Sequence, residues 1–296
     1  MELARRQLMA LAPAALVARA GEWVPQADFG SRRISRLIVG GNPVSGGSHW
    51  SGQLDNEMAD YFTAANVKKL LRDCETAGIN TWQSRGDRFI MRMLREHRNE
   101  GGTIQWIAQT ASELSDIKRN IADCARAGAL GVYHHGAATD SMWRAGKIEE
   151  IRDRLKAMRD AGVRAGLGTH IPAVIDYVEE KGWDLDFYMT CLYNLSRPKD
   201  EVEKLAGGPP EREYFHEPDR AEMLKRVKQT RRQCLIFKIY AATRRCKSEA
   251  DMKAALGQAF AAAKPQDCVV IGMFPKHSEQ VRQNCRLVRE AAGMPS

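Results

Sequence analysis

Three histidines have the residue type and the position that acid–base chemistry requires. His134 and His135 end a short β-prone run that begins at Gly131, and His170 ends a second such run. An imidazole titrates near neutral pH, so two neighbouring imidazoles can act as an acid and a base or share a metal ion. Successive residues of a strand face opposite sides, so a regular strand directs only one of the adjacent pair inward. His134 shares a face with Val132, and His135 can turn inward where the strand ends.

The segment between these histidines has the pattern of a crossover helix. Apolar residues in it recur at the steps that one helix face requires: Ile148, Ile151, Leu155 and Met158. Gly162 follows the last of them and can end the helix in a left-handed conformation. A helix between two β-runs predicts a parallel strand pair, and ligands of parallel α/β folds bind at the carboxyl ends of the strands. The three histidines lie at that end.

The same unit recurs along the chain. Ala-Gly pairs precede three of the β-runs, at Ala77, Ala127 and Ala161. Eight β-prone runs alternate with helical patterns, which predicts an α/β fold, a (β/α)8 TIM barrel, over residues 21–296 as a single domain. Residues 21–33 are expected to form an irregular lead-in. Residues 194–218 are rich in charge, glycine and proline, and are expected to form a lid-like loop over the strand ends.

Composition excludes several classes of protein. The chain has 296 residues, of which 44% are hydrophobic, enough for a large core without disulfides. Its 7 cysteines are scattered without a Cys-x-x-Cys pair, which argues against a disulfide framework or a structural zinc site. The net charge of +8 comes from basic residues dispersed along helices beside acidic ones. A small-molecule substrate is therefore expected and a nucleic-acid partner is not, and no oligomeric state is indicated.

The N-terminal residues have the pattern of an export signal. Arg5 and Arg6 precede an apolar run over residues 8–17, and residues 18–20 have the small-x-small form of a cleavage site. This predicts a twin-arginine-like signal peptide over residues 1–20 and a periplasmic or other extracytoplasmic protein. The run is too short to span a bilayer, so stable membrane insertion is not expected. The alternative is an amphipathic helix packed on the barrel of a cytoplasmic protein.

The order of motifs from Arg33 to Val288 resembles the aldo/keto reductase superfamily, in particular its divergent bacterial members. The matching segments are residues 34–41, 77–80, 132–136, 162–168, 237–238, 270–273 and 279–284. The resemblance implies a barrel that binds NADP(H) and reduces a carbonyl with a tyrosine, a lysine, an aspartate and a histidine. It also implies a cofactor site at Gly272, Lys276, Ser278, Arg282 and Asn284, where the last strand leads into a helix N-terminus that can bind an anion.

Most of the catalytic positions of that family are replaced in this chain. Gln83 stands where the resemblance places the aspartate, Arg88 and Phe89 where it places the tyrosine, and Gln109 and Thr110 where it places the lysine. Thr169-His170 replaces a Ser-Asn pair that holds the nicotinamide, and Thr190 replaces a glutamine. The family's histidine remains, as His134 or His135. Reduction by the family's usual mechanism is therefore not expected, because neither the phenol nor the cation is in place.

The strand ends provide the candidate site. The expected catalytic residues are His134, His135 and His170, and the expected substrate-binding residues are Asn42, Gln83, Arg88, Gln109, Thr190, Cys191 and Lys238. No carboxylate stands at a strand end to complete a metal triad, so a bound metal ion is less expected than NADP. Lys238 could form a Schiff base, although a structural role or a cofactor contact is the more common use of a lysine at such a position.

Three functions fit these residues. The first is an NADP-dependent oxidoreductase that acts on a carbonyl or sugar-like substrate with a rearranged acid. The second is a non-redox lyase, isomerase or hydrolase that uses the strand-end histidines. The third is a catalytically inactive barrel that binds a ligand. The resemblance favours the first and the substitutions favour the second, and we take the oxidoreductase as the nominal class.

Overall fold

A computed structural model describes residues 24–294 of the chain. The expected signal segment, residues 1–20, lies outside the described residues. The strands are β1 (Gln26–Phe29), β2 (Arg32–Ser35), β3 (Leu37–Gly40), β4 (Thr81–Arg85), β5 (Gln105–Gln109), β6 (Gly131–His134), β7 (Arg164–Thr169), β8 (Phe187–Cys191), β9 (Gln233–Phe237) and β10 (Cys268–Gly272). The helices are α1 (Gly52–Tyr61), α2 (Ala64–Thr76), α3 (Arg88–Asn99), α4 (Ile117–Arg126), α5 (Gly136–Arg144), α6 (Ile151–Asp160), α7 (Pro172–Glu180), α8 (Lys199–Ala206), α9 (Glu217–Gln229), α10 (Glu249–Ala262) and α11 (Gln280–Ala291).

The strands β3 to β10 are parallel and close into a barrel, in which β10 pairs with β3. The other neighbours follow chain order from β3 to β9, and β9 pairs with β10. Helices connect successive strands and cover the outside, which confirms the predicted (β/α)8 TIM barrel. Both faces of each barrel strand are buried, one by the interior and the other by helices, so the strands are apolar almost throughout.

The predicted Ala-Gly stops occur where helices end. Ala77, Ala127 and Ala161 follow the last residues of α2, α4 and α6. The glycines after them have φ angles of 87°, 80° and 74°, a left-handed conformation that costs glycine little. The predicted stripe of α6 is buried as well, which leaves its charged residues outside. These helix ends set the points at which the chain turns towards the next barrel strand.

The described part of the expected irregular lead-in, from residue 24 on, forms a β-hairpin instead. β1 and β2 pair antiparallel, and Gly30 with a φ of 66° occupies the turn between them. Phe29 enters the amino end of the barrel, where its ring lies 5.1 Å from that of Phe187. The hairpin thereby joins the inner apolar cluster, which consists of Ala27, Phe29, Ile34, Ile38, Ile107, Tyr133, Phe187, Met189, Leu235, Cys268 and Val270. One end of the barrel is filled, and any large cavity must lie at the other.

The segment 194–218 is not a plain loop, because α8 lies within it. Arg197 forms an ion pair with Asp219 of α9, and the backbone N–H of Asn194 donates to the same carboxylate at 2.9 Å. The segment is therefore anchored at both ends, and its role as a lid stays a prediction. Within residues 24–294, none of the helices is both long and apolar enough to cross a bilayer.

Candidate functional site

A cavity of about 870 Å³ opens at the carboxyl ends of the barrel strands. Nine residues expected in the site line it: Asn42, Gln83, Gln109, His135, His170, Lys238, Gly272, Ser278 and Asn284. Its size falls within the range of about 300–1,000 Å³ that is usual for small-molecule sites. The carboxyl ends of parallel barrel strands are where such sites occur. We refer to this space below as the cavity.

The adjacent histidines face opposite ways, and His135 is the one that lines the cavity. His134 is buried on the outer face of the barrel, against α5 and α6, where its Nδ1 lies 2.8 Å from the Thr139 hydroxyl and its Nε2 contacts Arg154. Burial and the Arg154 charge lower the pKa of His134 to about 3, so it stays neutral. The sequence left open which of the two histidines faces the site. Tyr133 and His135 share the inner face instead.

Asp140 supports His170 from behind. The Oδ2 atom of this fully buried carboxylate lies 2.6 Å from His170 Nδ1, and the hydroxyls of Thr169 and Ser196 each donate to the carboxylate at 2.6 Å. Burial alone would raise the pKa of Asp140, but the hydrogen bonds and charge of His170, with those of Ser196 and Thr169, hold that pKa below its usual value. Asp140 therefore remains a carboxylate.

Two glycines allow this arrangement. Asp140 lies on α5, which packs closely against β7. A Cβ atom at Gly168 would lie 3.0 Å from the backbone N of Gly136, and one at Gly136 would lie 3.1 Å from the His170 ring. Real Cβ atoms rarely make such close contacts, so larger residues would push the helix away from the strand. The glycines thus hold Asp140 against His170.

The two histidines of the cavity have pKa values shifted in opposite directions. Burial lowers the pKa of His170, but neighbouring Cys191 and Asp140 outweigh it and raise this pKa to about 10. Burial lowers the pKa of His135 to about 4, together with the positive charges of His170 and Arg85. His135 also contacts the Ser112 hydroxyl through Nδ1 at 2.9 Å. At neutral pH the cavity thus has one charged imidazole and one neutral imidazole, which is the arrangement of an acid and a base.

A tyrosine between two amides forms the cavity floor. Gln83 donates to the Tyr133 hydroxyl at 2.8 Å, and that hydroxyl donates to the Gln109 side chain at 2.9 Å. Burial raises the pKa of Tyr133, and the described contacts of its oxygen include no cation that would favour the phenolate. Tyr133 is therefore a poor proton donor in place of the family's tyrosine. It orients the two glutamines at the cavity floor.

Five expected site residues besides His134 do not line the cavity. Thr190 and Cys191 are fully buried in β8, although Cys191 interacts electrostatically with both His170 and Lys238. Arg88 is exposed at the start of α3, and Arg282 is exposed on α11. Lys276 forms an ion pair with Glu57 of α1, with 2.8 Å between Nζ and Oε1. The expected anion site therefore already contains a carboxylate of the chain itself.

The segment after β9 has an unusual backbone. Lys238, Ala241, Ala242 and Thr243 have φ angles of 63°, 49°, 48° and 73°, all in the left-handed region. Residues other than glycine adopt this conformation at a cost of roughly 1–2 kcal/mol each. The strained turn lines the cavity, which is where proteins tend to keep such strain.

Aromatic and charged contacts tie the predicted lid to the opposite rim. The Arg244 guanidinium lies 4.1 Å from the ring centre of Phe215 and 5.1 Å from that of Trp50. Nδ1 of His49 lies 2.9 Å from the Glu213 carboxylate. Three chain segments thus meet over one side of the cavity, which narrows its opening.

Sequence reasoning missed several residues of the site. Tyr133 could have been placed by counting alternate positions back from His135, but both faces of β6 are buried, so the polarity pattern does not reveal which side faces inward. Asp140 carried no signal of its own, because its contact with His170 depends on helix packing. Within residues 24–294, no group of three or more His, Cys, Asp or Glu side chains is arranged to hold a metal ion.

Comparison with known proteins supports the fold alone. No protein-family model and no curated protein sequence matches the chain. A phospho-2-dehydro-3-deoxyheptonate aldolase (DAHP synthase) from Thermotoga maritima has 12% identity and a TM-score of 0.52, over 92% of this chain and 75% of that one. A truncated form of 3-deoxy-D-arabino-heptulosonate 7-phosphate synthase from Thermotoga maritima has 12% identity and a TM-score of 0.53, over 90% of this chain and 91% of that one.

Structures similar to this chain also include an aldo/keto reductase. This protein, the glycerol dehydrogenase AKR11B4 from Gluconobacter oxydans, has 12% identity and a TM-score of 0.45, over 92% of this chain and 97% of that one. At this level the likeness does not bear on activity. Membership of the aldo/keto reductase superfamily therefore stays a prediction from the sequence motifs.

Proposed function

We propose that the chain is an NADP(H)-dependent oxidoreductase that reduces a carbonyl or sugar-like substrate, with His170 as the proton donor. The observation that carries the proposal is the His170–Asp140 pair at the cavity wall, with 2.6 Å between Nδ1 and Oδ2. Reduction of a carbonyl requires a proton for its oxygen. An imidazolium held by a buried carboxylate can provide one, and this role replaces that of the family's tyrosine.

The chain's own groups have separate parts in this reaction. Asp140 holds Nδ1 of His170, so Nε2 is the nitrogen that gives its proton to the substrate oxygen, and the Cys191 thiol, which also hydrogen-bonds this ring, must share it with the substrate. Gln83 and Gln109 line the cavity and present amide groups suited to the hydroxyls of a sugar-like substrate. The contacts among Trp50, Arg244 and Phe215 limit access of water from one side.

A nicotinamide dinucleotide would supply the hydride when bound. The residues opposite the histidines offer hydroxyl and amide groups to such a ligand: Ser248, Ser278 and Gln283. Asn284 also lines this side, but its amide is bonded to Tyr240 and Gln280. The volume and this polar lining fit a dinucleotide. Lys276 would bind a phosphate only after releasing Glu57, so we expect weaker phosphate contacts than a free lysine would provide.

A second candidate function follows from the opposite pKa shifts of His135 and His170. A neutral imidazole beside a charged one can remove a proton from a carbon or hydroxyl of a substrate and return one elsewhere. This chemistry needs no dinucleotide. It supports a non-redox lyase, isomerase or hydrolase that acts on the same polar class of substrate.

A binding titration separates the two candidates. The purified protein is titrated with NADPH while its tryptophan fluorescence is followed, and is then screened with aldehydes, ketones and sugars for loss of nicotinamide absorbance. Saturable binding with turnover supports the reductase. Absence of binding contradicts it, and uptake of deuterium from heavy water by a sugar substrate would then support the second candidate.

Variants connect the turnover to the site. His170→Asn is expected to lower the rate by about a thousandfold or more, because the proton donor is lost, while NADPH binding is kept. His134→Asn is the matched control, since this adjacent-strand histidine faces away from the cavity. Equal losses in both variants would contradict the assigned role of His170.

A further inference from the structure

Lys238 has a setting that differs from that of a structural lysine. It follows β9 at the carboxyl end of the barrel, is only partly exposed, and lines the cavity together with His170. Among residues 24–294, no carboxylate forms an ion pair with its amine and no hydrogen bond holds that amine. The Phe215 ring centre lies 5.8 Å from Nζ. The amine is thus sheltered without a fixed partner.

We propose that the amine of Lys238 forms an imine with the carbonyl carbon of a small aldehyde or ketone in the cavity. This covalent site goes beyond hydride transfer. It rests on the carbonyl substrate class of the proposed function, but it needs no nicotinamide cofactor. The geometry behind it is a lysine without a fixed partner after β9 and a proton donor after β7, the two strands that flank β8, with both side chains lining one large cavity.

The surroundings of Lys238 favour the neutral amine that such a reaction requires. Burial lowers the pKa of Lys238 to about 8, and the Arg244 charge acts in the same direction, while Cys191 and Glu213 oppose it. About a tenth of the amine is then neutral at pH 7, compared with roughly a few parts in ten thousand for an ordinary lysine. A neutral lysine in a sheltered pocket is the usual nucleophile for a carbonyl group.

His170 can complete the reaction. The nitrogen lone pair of Lys238 attacks the carbonyl carbon and forms the C–N bond, and one amine proton moves to the oxygen to give a neutral carbinolamine. The C–O bond then breaks as the oxygen takes a proton from His170 and leaves as water. The nitrogen retains its last proton and becomes a protonated imine, so the positive charge passes from His170 to the new bond.

Reductive trapping tests the proposal on the full chain. The protein is incubated with glycolaldehyde, dihydroxyacetone or pyruvate, reduced with borohydride, and analysed by intact mass and peptide mapping. We expect an adduct on Lys238 at least about tenfold more abundant than on any other lysine, because its amine is more often neutral. Adduct formation should increase as the pH is raised towards 8.

Two matched variants control for other lysines and for folding. Lys238→Arg should abolish the adduct, whereas Lys264→Arg, which alters a partly buried lysine at the other end of the barrel, should leave it unchanged. Lys238→Met, checked for folding by circular dichroism, must also lack the adduct. The proposal would be overturned if none of the three probes labelled Lys238 more than surface lysines. It would also be overturned if the adduct persisted in Lys238→Arg.

The outcomes also separate this proposal from the proposed function. Trapping on Lys238 without NADPH binding would retain the imine site and remove the reductase. NADPH-dependent reduction that continues in Lys238→Met, with no trapping in the wild type, would support the reductase and remove the imine site.

Discussion

Each end of the barrel buries an aspartate beside a basic side chain. The two pairs differ in how far hydrogen bonds fix the basic side chain. Asp267, at the amino end, accepts hydrogen bonds from Lys264 Nζ at 2.8 Å and from the backbone N–H groups of Cys234 and Lys264, each at 2.7 Å. Asp140, at the carboxyl end, is bonded to an imidazole whose other nitrogen is not held by Asp140. The Asp267 pair links β9 to the turn that follows α10. The Asp140 pair keeps a proton available to the cavity.

The lysines differ in the same way. Lys264 is held by Asp267 and also donates to the Val227 carbonyl at 2.7 Å. Within the described part of the chain, residues 24–294, the Lys238 amine has only aromatic and longer-range electrostatic neighbours. The lysine amine at the amino end is thus fixed by hydrogen bonds, whereas the one that lines the cavity is not, which separates a residue that stabilises the fold from one available for chemistry.

The largest expected effect comes from the two aspartates. Asp140→Asn should lower turnover about a thousandfold, because the charge that supports the His170 imidazolium is lost while the side-chain shape is kept. Asp267→Asn should leave the turnover of the folded protein nearly unchanged and lower its stability instead. Steady-state kinetics and urea unfolding of both variants test this. Asp140→Asn with more than a tenth of wild-type activity would contradict the comparison.

The next effect concerns pH and stability. The pKa of His170 is raised to about 10 in the folded protein, above the value of about 6.5 in an unfolded chain. Its contribution is therefore complete below about pH 6.5 and is lost as the pH rises through about 10, on the order of 5 kcal/mol. Urea unfolding of the wild type and of His170→Gln at both ends of this window measures the difference. If the His170→Gln variant lost as much stability as the wild type between the low and the high pH, this contribution of His170 would be refuted.

The smallest effect compares the lysines. Lys264→Met removes the charged partner of the buried Asp267, which keeps two backbone hydrogen bonds, and should lower the free energy of unfolding by about 2 kcal/mol. Lys238→Met removes an unpaired, partly buried charge and should leave that free energy unchanged or slightly higher. Chemical denaturation of the two variants is the measurement. Similar losses in both would mean that Lys238 has a structural partner after all.

The fold was predictable because its signals are local. Gly78, Gly128 and Gly162 end helices by their backbone freedom, and the apolar stripe of α6 shows in the sequence itself. The hairpin of β1 and β2 was missed because its strands are short and partly polar, and their burial depends on the barrel interior that Phe29 fills.

The site was only partly predictable. His170 and Lys238 were found because residues at strand ends meet in any such barrel. The orientation of His134 could not be derived, since both faces of its strand are buried. The contact of Asp140 with His170 requires Gly136 and Gly168 to bring a helix against a strand, which no local pattern encodes. The left-handed turn at 241–243 could not be predicted either, because Ala-Ala-Thr does not favour positive φ angles.

The filled amino end of the barrel has a kinetic consequence. With Phe29, Phe187 and Leu235 in the interior below Tyr133, a ligand has no path through the molecule and must arrive and depart by the same opening. Two ligands bound one behind the other in a cavity with a single opening cannot exchange places. The ligand that binds deeper must then enter first and leave last, so the shape of the barrel would fix the order of binding and release.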